Sequence, residues 1–225
     1  MAYRKALIAG VFWTLWAAAP AAADPYTSPH DQGSGAAYLG LRGSIVDGDD
    51  THASAGAVDL KAHYSTGLGG SLYAGARLDY GFRIEGELVY RHFSLDSLSV
   101  AGTPQAGRTG FLQIAAPMAN VYWDVPIPEF PLRPFIGAGL GAAYVDAHDR
   151  IGANPVIAAD NWHFAYQLMA GAAIPLSQDA RLTGLYRFFR VQDASYRCTP
   201  PALPTAACRA DTMNSSIDLG LEFDL

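Results

Sequence analysis

The sequence predicts an all-β chain, an eight-stranded antiparallel up-and-down transmembrane β-barrel. Three observations carry this. The last nine residues alternate strictly, with Ile217, Leu219, Leu221, Phe223 and Leu225 set against Asp218, Gly220, Glu222 and Asp224. Strand side chains point to opposite faces with a period of two, so one face is apolar and the other polar. The same alternation recurs along the chain, and the connections between alternating stretches run long, short, long, short. That rhythm matches a barrel with long outer loops, tight inner turns and an apolar face towards lipid. Finally, the chain opens with an export signal and contains no other apolar run of the roughly 20 residues a spanning helix needs. Only helices and closed barrels satisfy their backbone inside a bilayer.

The export signal is read in residues 1–23. Arg4 and Lys5 form its basic start, Ala6 to Trp16 its apolar core, and Ala21-Ala22-Ala23 a small-residue cleavage site before Asp24. Residues 24–35 (DPYTSPHDQGSG) are polar and turn-rich, a periplasmic linker by this reading, and residues 36–225 form the barrel domain. Losing Arg4 and Lys5 would lower the formal net charge of −6 by two, to about −8, which disfavours nucleic acid as a partner.

Eight strands follow in order. The first, Ala36 to Val46, sets Ala37, Leu39, Leu41 and Ile45 against Tyr38, Gly40, Arg42 and Ser44. Asp47 to Gly70 reads as a long polar loop. Ser71 to Gly81 is the second strand, with Leu72, Ala74, Ala76 and Leu78 opposite Tyr73, Gly75, Arg77 and Asp79. A tight turn leads into the third, Ile84 to Leu95, whose polar face carries Arg83, Glu85, Glu87 and Arg91. Leu98 to Gly110 is the next polar loop and Phe111 to Val125 the fourth strand. Three prolines, Pro126, Pro128 and Pro131, mark the break after it, because proline cannot donate to a ladder. Pro134 to Asp146 is the fifth strand, with Gly137, Gly139 and Gly141 on its inner face. Ala147 to Asn161 reads as a third polar loop, Trp162 to Leu176 as the sixth strand, and Ala180 to Val191 as the seventh. A last loop, Gln192 to Thr212, precedes the closing strand.

Four charges on one face of one strand would ruin a soluble core, but they suit a narrow polar lumen where acids and bases pair. The predicted lumen charges are Arg42, Arg77, Asp79, Arg83, Glu85, Glu87, Arg91, Asp124, Arg187, Asp218 and Glu222. Eight strands leave an interior just wide enough for side chains, so these charges are expected as a plug of ion pairs, with Glu85, Glu87, Arg91 and Arg187 near its middle. Lining a pore is the alternative.

Met118-Ala119-Asn120-Val121-Tyr122-Trp123-Asp124, followed by Arg133-Pro134-Phe135-Ile136-Gly137-Ala138-Gly139-Leu140-Gly141, resembles two neighbouring strands of a known family. These are the opacity-protein and surface-antigen-like, porin-family barrels of the Gram-negative outer membrane. Glu85-Gly86-Glu87-Leu88-Val89-Tyr90-Arg91, Ala165-Tyr166-Gln167-Leu168-Met169-Ala170-Gly171 and Tyr186-Arg187-Phe188 extend the resemblance across the mature chain. It implies an eight-stranded barrel in the outer membrane, in contact with membrane lipid and lipopolysaccharide, and assembled by machinery that reads the last strand. Family members usually end in an aromatic residue, commonly Phe. This chain ends in Leu225, with Phe223 two positions earlier.

Cys198 and Cys208 fall in the last outer loop, and export to an oxidising compartment makes a disulfide the expectation. Closing so short a loop would add roughly 3 kcal/mol in the chain-entropy account. A metal pair or redox couple is less well supported, since no His adjoins either cysteine. His92-Phe93-Ser94 hints at an enzyme, because lipid A deacylases carry a His and a Ser on a lipid-facing strand. The fuller His-x-Ser-Asn motif is absent here, Leu95 and Asp96 following, and that family carries its pair later in the chain. A boundary His and a strand-ending Ser explain the pair as well. The remaining histidines show no metal-ligand spacing, and no nucleotide-binding motif or cofactor site is read. The expected function is therefore that of a non-enzymatic surface protein, with a structural or interaction role through its outer loops and a possible surface ligand or host partner. A lipid A hydrolase using His92 and Ser94, or a small pore, are the alternatives.

Overall fold

The computed structural model describes residues 36–48, 50–55, 58–100, 102–127, 132–152, 154–199 and 206–225; the expected export signal and linker lie outside them. The elements are β1 (Ala37–Asp47), β2 (Asp50–Ala55), β3 (Val58–Tyr64), β4 (Gly67–Arg77), a 3-10 turn (Asp79–Gly81), β5 (Phe82–Val100) and β6 (Thr103–Pro104). They continue with β7 (Arg108–Asp124), β8 (Arg133–Ile151), β9 (Asn154–Pro175), β10 (Ala180–Cys198) and β11 (Ala206–Asp224). Eight of these close a ring of antiparallel neighbours, β1-β4-β5-β7-β8-β9-β10-β11 and back to β1. Closure pairs the first and last strands, from Tyr38 with Asp224 to Asp47 with Ser215, and leaves this ring without an edge. The eight-stranded barrel expected from the alternation is the fold observed.

An apolar band girdles the outside. Leu41, Leu72, Leu88, Leu140, Leu168 and Leu219 all point outward and are exposed, which in lipid leaves them in an apolar solvent. Aromatic side chains mark both limits of the band. Phe82 and Trp123 pair across β5 and β7 at the lower rim; Tyr90, Ala115, Tyr144 and Trp162 form one ladder row at the upper rim. The Tyr144 and Trp162 rings lie 5.5 Å apart.

One ladder row above, the outward residues are His92, Gln113, Asp146 and Asp160, all polar. At the same level the inward face turns apolar. Above this boundary β8 points Val145 and Ala147 inward and Asp146, His148 and Arg150 outward, the reverse of Gly139 and Leu140 below it. The strands thus run on past the membrane as a barrel with an ordinary dry core.

This corrects three of the expected long loops. Leu98 to Gly110 holds the end of β5, β6 and the start of β7; Ala147 to Asn161 holds the end of β8 and start of β9; Gln192 to Thr212 holds the end of β10 and the start of β11. Their alternation is real, but its polarity is inverted relative to the membrane part, so it reads as an irregular polar stretch. The expected loop from Asp47 to Gly70 likewise contains β2, β3 and the start of β4. There β2 follows β1 and β3 precedes β4, and β3 pairs with β5 from Leu60 opposite Val100 down to Tyr64 opposite Leu95.

Candidate functional site

Below the boundary the lumen is packed with charge in two layers. In the upper layer Glu87 is the hub. Its carboxylate accepts from Arg187 at 2.7 and 2.9 Å, from Arg42 at 3.1 Å, from Asn120 at 2.9 Å and from Gln167 at 3.0 Å. Arg42 also forks onto both oxygens of Glu85, at 3.0 and 3.1 Å, and its guanidinium lies 3.5 Å from the Tyr73 ring centre. Arg187 donates from Nε to Asp218 at 2.9 Å and from Nη1 to Gln167 at 2.7 Å. The lower layer gathers Arg77, Arg83 and Arg181 around Glu222, with Asp124 and Asp224 at the rim. Arg77 pairs with Glu222 and, at 2.7 Å, with Asp224; Arg83 bridges Asp124 at 3.0 Å and Glu222 at 3.4 Å; Arg181 reaches Asp224 at 3.1 Å.

Room for this network comes from glycine. A Cβ on Gly139 would collide with Asn120, and one on Gly137 with the Tyr122 ring, so these inward positions of β8 leave their volume to the polar groups facing them. Forked guanidinium–carboxylate pairs and amide bridges satisfy most of the charged atoms, the condition under which charge survives burial.

Most of the sequence-derived lumen residues lie in these two layers. Two do not take the expected place. Asp79 is exposed in the 3-10 turn, because β4 ends at Arg77 and Tyr80 takes a left-handed φ of 61°. Arg91 is fully buried, but among the described residues it has no carboxylate within ion-pair distance. It donates to Asn214 and, at 3.5 Å, to Ser216, and lies 4.6 Å from the Phe189 ring centre. It stands where the polar lumen meets the apolar core. Sequence reasoning left out Arg181, Asn120, Gln167 and Asp224, each signalled by its inward parity.

Above Arg91 the interior is apolar, with Phe93, Leu98, Leu112, Ile114, Val145, Ile157, Phe189 and Val191 all buried. One carboxylate breaks this core. Asp149 on β8 is wholly buried; its Oδ2 accepts from the Tyr64 hydroxyl at 2.8 Å, while its Oδ1 has no partner. Burial pushes its carboxyl up to about 6, against a smaller opposing pull from the Tyr64 hydrogen bond. Burial, and next the charge of Asp149, hold the Tyr64 hydroxyl well above its ordinary range. No composition signal singled out either residue.

His92 and Ser94 sit at and above the boundary row, outside the apolar band. His92 Nδ1 lies 3.4 Å from Gln113 Nε2, and its ring stacks on Phe111. Phe111 in turn lies between His92 and His148, which pairs with Asp146 at 3.2 Å. The His and carboxylate of this patch therefore serve each other, with a phenylalanine between them and Ser94. Cys198 is buried at the end of β10, and Tyr196 lies in register with Cys208 on β11. The Cys208 side chain of the expected disulfide falls outside the described residues. Among the described residues no cluster of three or more His, Cys, Asp or Glu is placed to hold a metal.

A family model described as surface antigen matches residues 109–222, about half of the chain. The chain belongs to the surface antigen family. An uncharacterized protein of Brucella abortus is 38% identical over 84 residues, covering 33% of this chain and 29% of its own length. Among solved structures, Neisserial surface protein A superposes with a TM-score of 0.52 at 13% identity, over 86% of this chain and all of that one. OprG from Pseudomonas aeruginosa gives 0.53 at 14% identity, over 86% and 99%. At these identities the structures testify to the fold. Family and fold together place this surface antigen protein in the outer membrane of a Gram-negative bacterium.

Proposed function

We propose that this surface antigen barrel is a non-enzymatic scaffold, which displays an extended strand-built extracellular domain for a structural or interaction role. One observation carries the reading: among the described residues the lumen is occupied by ion pairs in the membrane and by an apolar core above it. A filled interior supports mechanical rigidity, not flow. Interaction would use the outward polar face and the hairpin tips, where a rigid scaffold leaves residues free to vary. The partners are lipid and lipopolysaccharide around the band, the assembly machinery at β11, and a surface ligand or host molecule at the tips.

Two measurements test this. Planar-bilayer recordings of the folded protein should show no large, stable single-channel steps; such steps would favour a pore. Lipid A mass spectra of cells with and without the protein should be the same. Loss of an acyl chain that disappears again in Ser94→Ala would make the protein a hydrolase.

A further inference from the structure

On the outward face of β7 and β8, above the aromatic rim, the wall holds a cleft of about 260 Å³ lined by Thr109, Gly110, Phe111, His148 and Arg150. Four of these residues form two successive rungs of one ladder, Phe111 opposite His148 and Thr109 opposite Arg150. Strand parity sends all four outward. Phe111 supplies a flat apolar surface. Its ring is flanked by His92 at 6.3 Å and by His148 at 5.4 Å. His148 Nε2 pairs with Asp146 at 3.2 Å, which holds the imidazole in place and occupies the nearest carboxylate. Thr109 and Arg150 are exposed at the upper end, and among the described residues no carboxylate pairs with Arg150. A guanidinium fork beside a hydroxyl suits a phosphate. The negative face of an aromatic ring attracts the polarised C–H groups of a sugar.

We propose that this cleft seats one phosphorylated sugar headgroup of the lipopolysaccharide around the barrel, with the phosphate on Arg150 and Thr109 and the sugar ring against Phe111. The inference rests on the outer-membrane placement in the scaffold reading and turns a diffuse lipid contact into a site on one part of the wall. Height favours this occupant. His148 stands two rungs above Tyr144 of the rim, about 10 Å higher at a rise of about 3.3 Å per residue and a strand tilt of about 40°. Headgroup sugars and phosphates lie at that level, just outside the acyl chains. Charge favours it too. Beside the cation Arg150, the outward carboxylates nearby are already held, Asp146 by His148 and Asp160 by Arg197 at 3.5 Å. Ser94 and Ala158, which flank the Phe111–His148 rung on β5 and β9, carry no charge. A phospholipid would bring a phosphate without the sugar, and free phosphate would bring neither sugar nor acyl anchor.

Native mass spectrometry of the mature protein, folded in detergent and titrated with purified lipopolysaccharide, tests the site. Wild type should retain one molecule, and the same lipopolysaccharide stripped of its phosphates should bind about tenfold more weakly, the size expected for one charge-assisted contact. Arg150→Gln should lose about tenfold for the intact lipid and nothing for the dephosphorylated one. Arg197→Gln, which removes an exposed arginine outside the cleft, should bind as wild type does. Phe111→Ser should weaken both forms. Equal binding of the two lipids by wild type overturns the proposal, as does equal loss in Arg150→Gln and Arg197→Gln, which would mean diffuse charge. Displacement of the lipid by inorganic phosphate at equal concentration would make the cleft a free-anion site and overturns it as well. Should Arg150→Gln fail to fold, the wild type decides: intact lipopolysaccharide should shield His148 from diethylpyrocarbonate and the dephosphorylated form should not, and equal labelling refutes the site. Conductance and lipid A masses judge the scaffold reading separately, so the two can fail independently.

Discussion

At the scale of residues, Glu87 and Arg187 show how charge is kept inside a membrane protein. Each is almost completely buried, and each binds the other through two hydrogen bonds while holding further partners. Replacing Arg187 by Met would leave Glu87 and Asp218 short of their strongest donor. Breaking a buried pair in this way costs about 3–5 kcal/mol, and the heat-modifiability transition of Arg187→Met on gels should fall clearly below wild type. Leu221→Ala, on the outward face of β11, should shift it less, because lipid fills the space the side chain leaves. An unshifted Arg187→Met that also conducts ions would mean a wet, dispensable network. Gly139→Ala offers a complementary test, since its methyl group would force Asn120 off its place; it should destabilise the barrel with no change of charge.

At the scale of elements, β8 carries the boundary in its own sequence. In its lower half the inward residues include Gly137 and Gly139, which make room for the groups facing them; from Ala143 upward they are Ala143, Val145 and Ala147, all fully buried. The two halves of one strand thus obey opposite rules, set by whether lipid or water lies outside. Ile114→Ala on β7, inside the outer core, should behave like a core truncation in a soluble protein and cost about 2–5 kcal/mol. The outward substitution Asp146→Asn, one ladder row above the aromatic rim, should change stability by less than about 0.5 kcal/mol. Denaturant titration of the protein folded in detergent distinguishes them; equal effects would show that the extracellular part is not packed. The proposed Cys198–Cys208 disulfide would tie β10 to β11 near their tips, and intact-mass measurement before and after reduction should reveal a gain of two hydrogen atoms.

At the scale of the molecule, the barrel behaves as a solid rod with two kinds of filling. Among these groups cations and anions balance: Arg77, Arg83 and Arg181 with Glu222, Asp124 and Asp224 in the lower layer, and Arg42 and Arg187 with Glu85, Glu87 and Asp218 in the upper, the third cation being Arg91 at the top of the polar lumen. This balance removes the field that would draw ions through, which is the physical reason to expect silent bilayer recordings. Asp149, on β8, is a buried carboxylate within the apolar outer core, held by the Tyr64 hydroxyl from β3.

The alternation, with the rhythm of the connections, determined the barrel, the eight strands of its ring and most of the inward charges, because a period of two assigns faces without knowledge of partners. It also placed Glu85 and Glu87 beside one another on a single inward stripe. It could not say where the strands end. Above Tyr144 and Tyr90 water replaces lipid, and a polar outward residue with an apolar inward one reads in sequence as a loop or as noise. Tertiary structure decided that Arg91 stands apart from the carboxylates, since parity puts a side chain inside the barrel but not at a given height or azimuth. Asp79 was misplaced for a related reason: a strand's parity holds only while the strand lasts, and the turn at Tyr80 ended it. Nor could the sequence bring Tyr64 to Asp149, 85 positions apart. Their meeting depends on the curvature of a closed wall, which carries β3 and β8 to opposite sides of one narrow core.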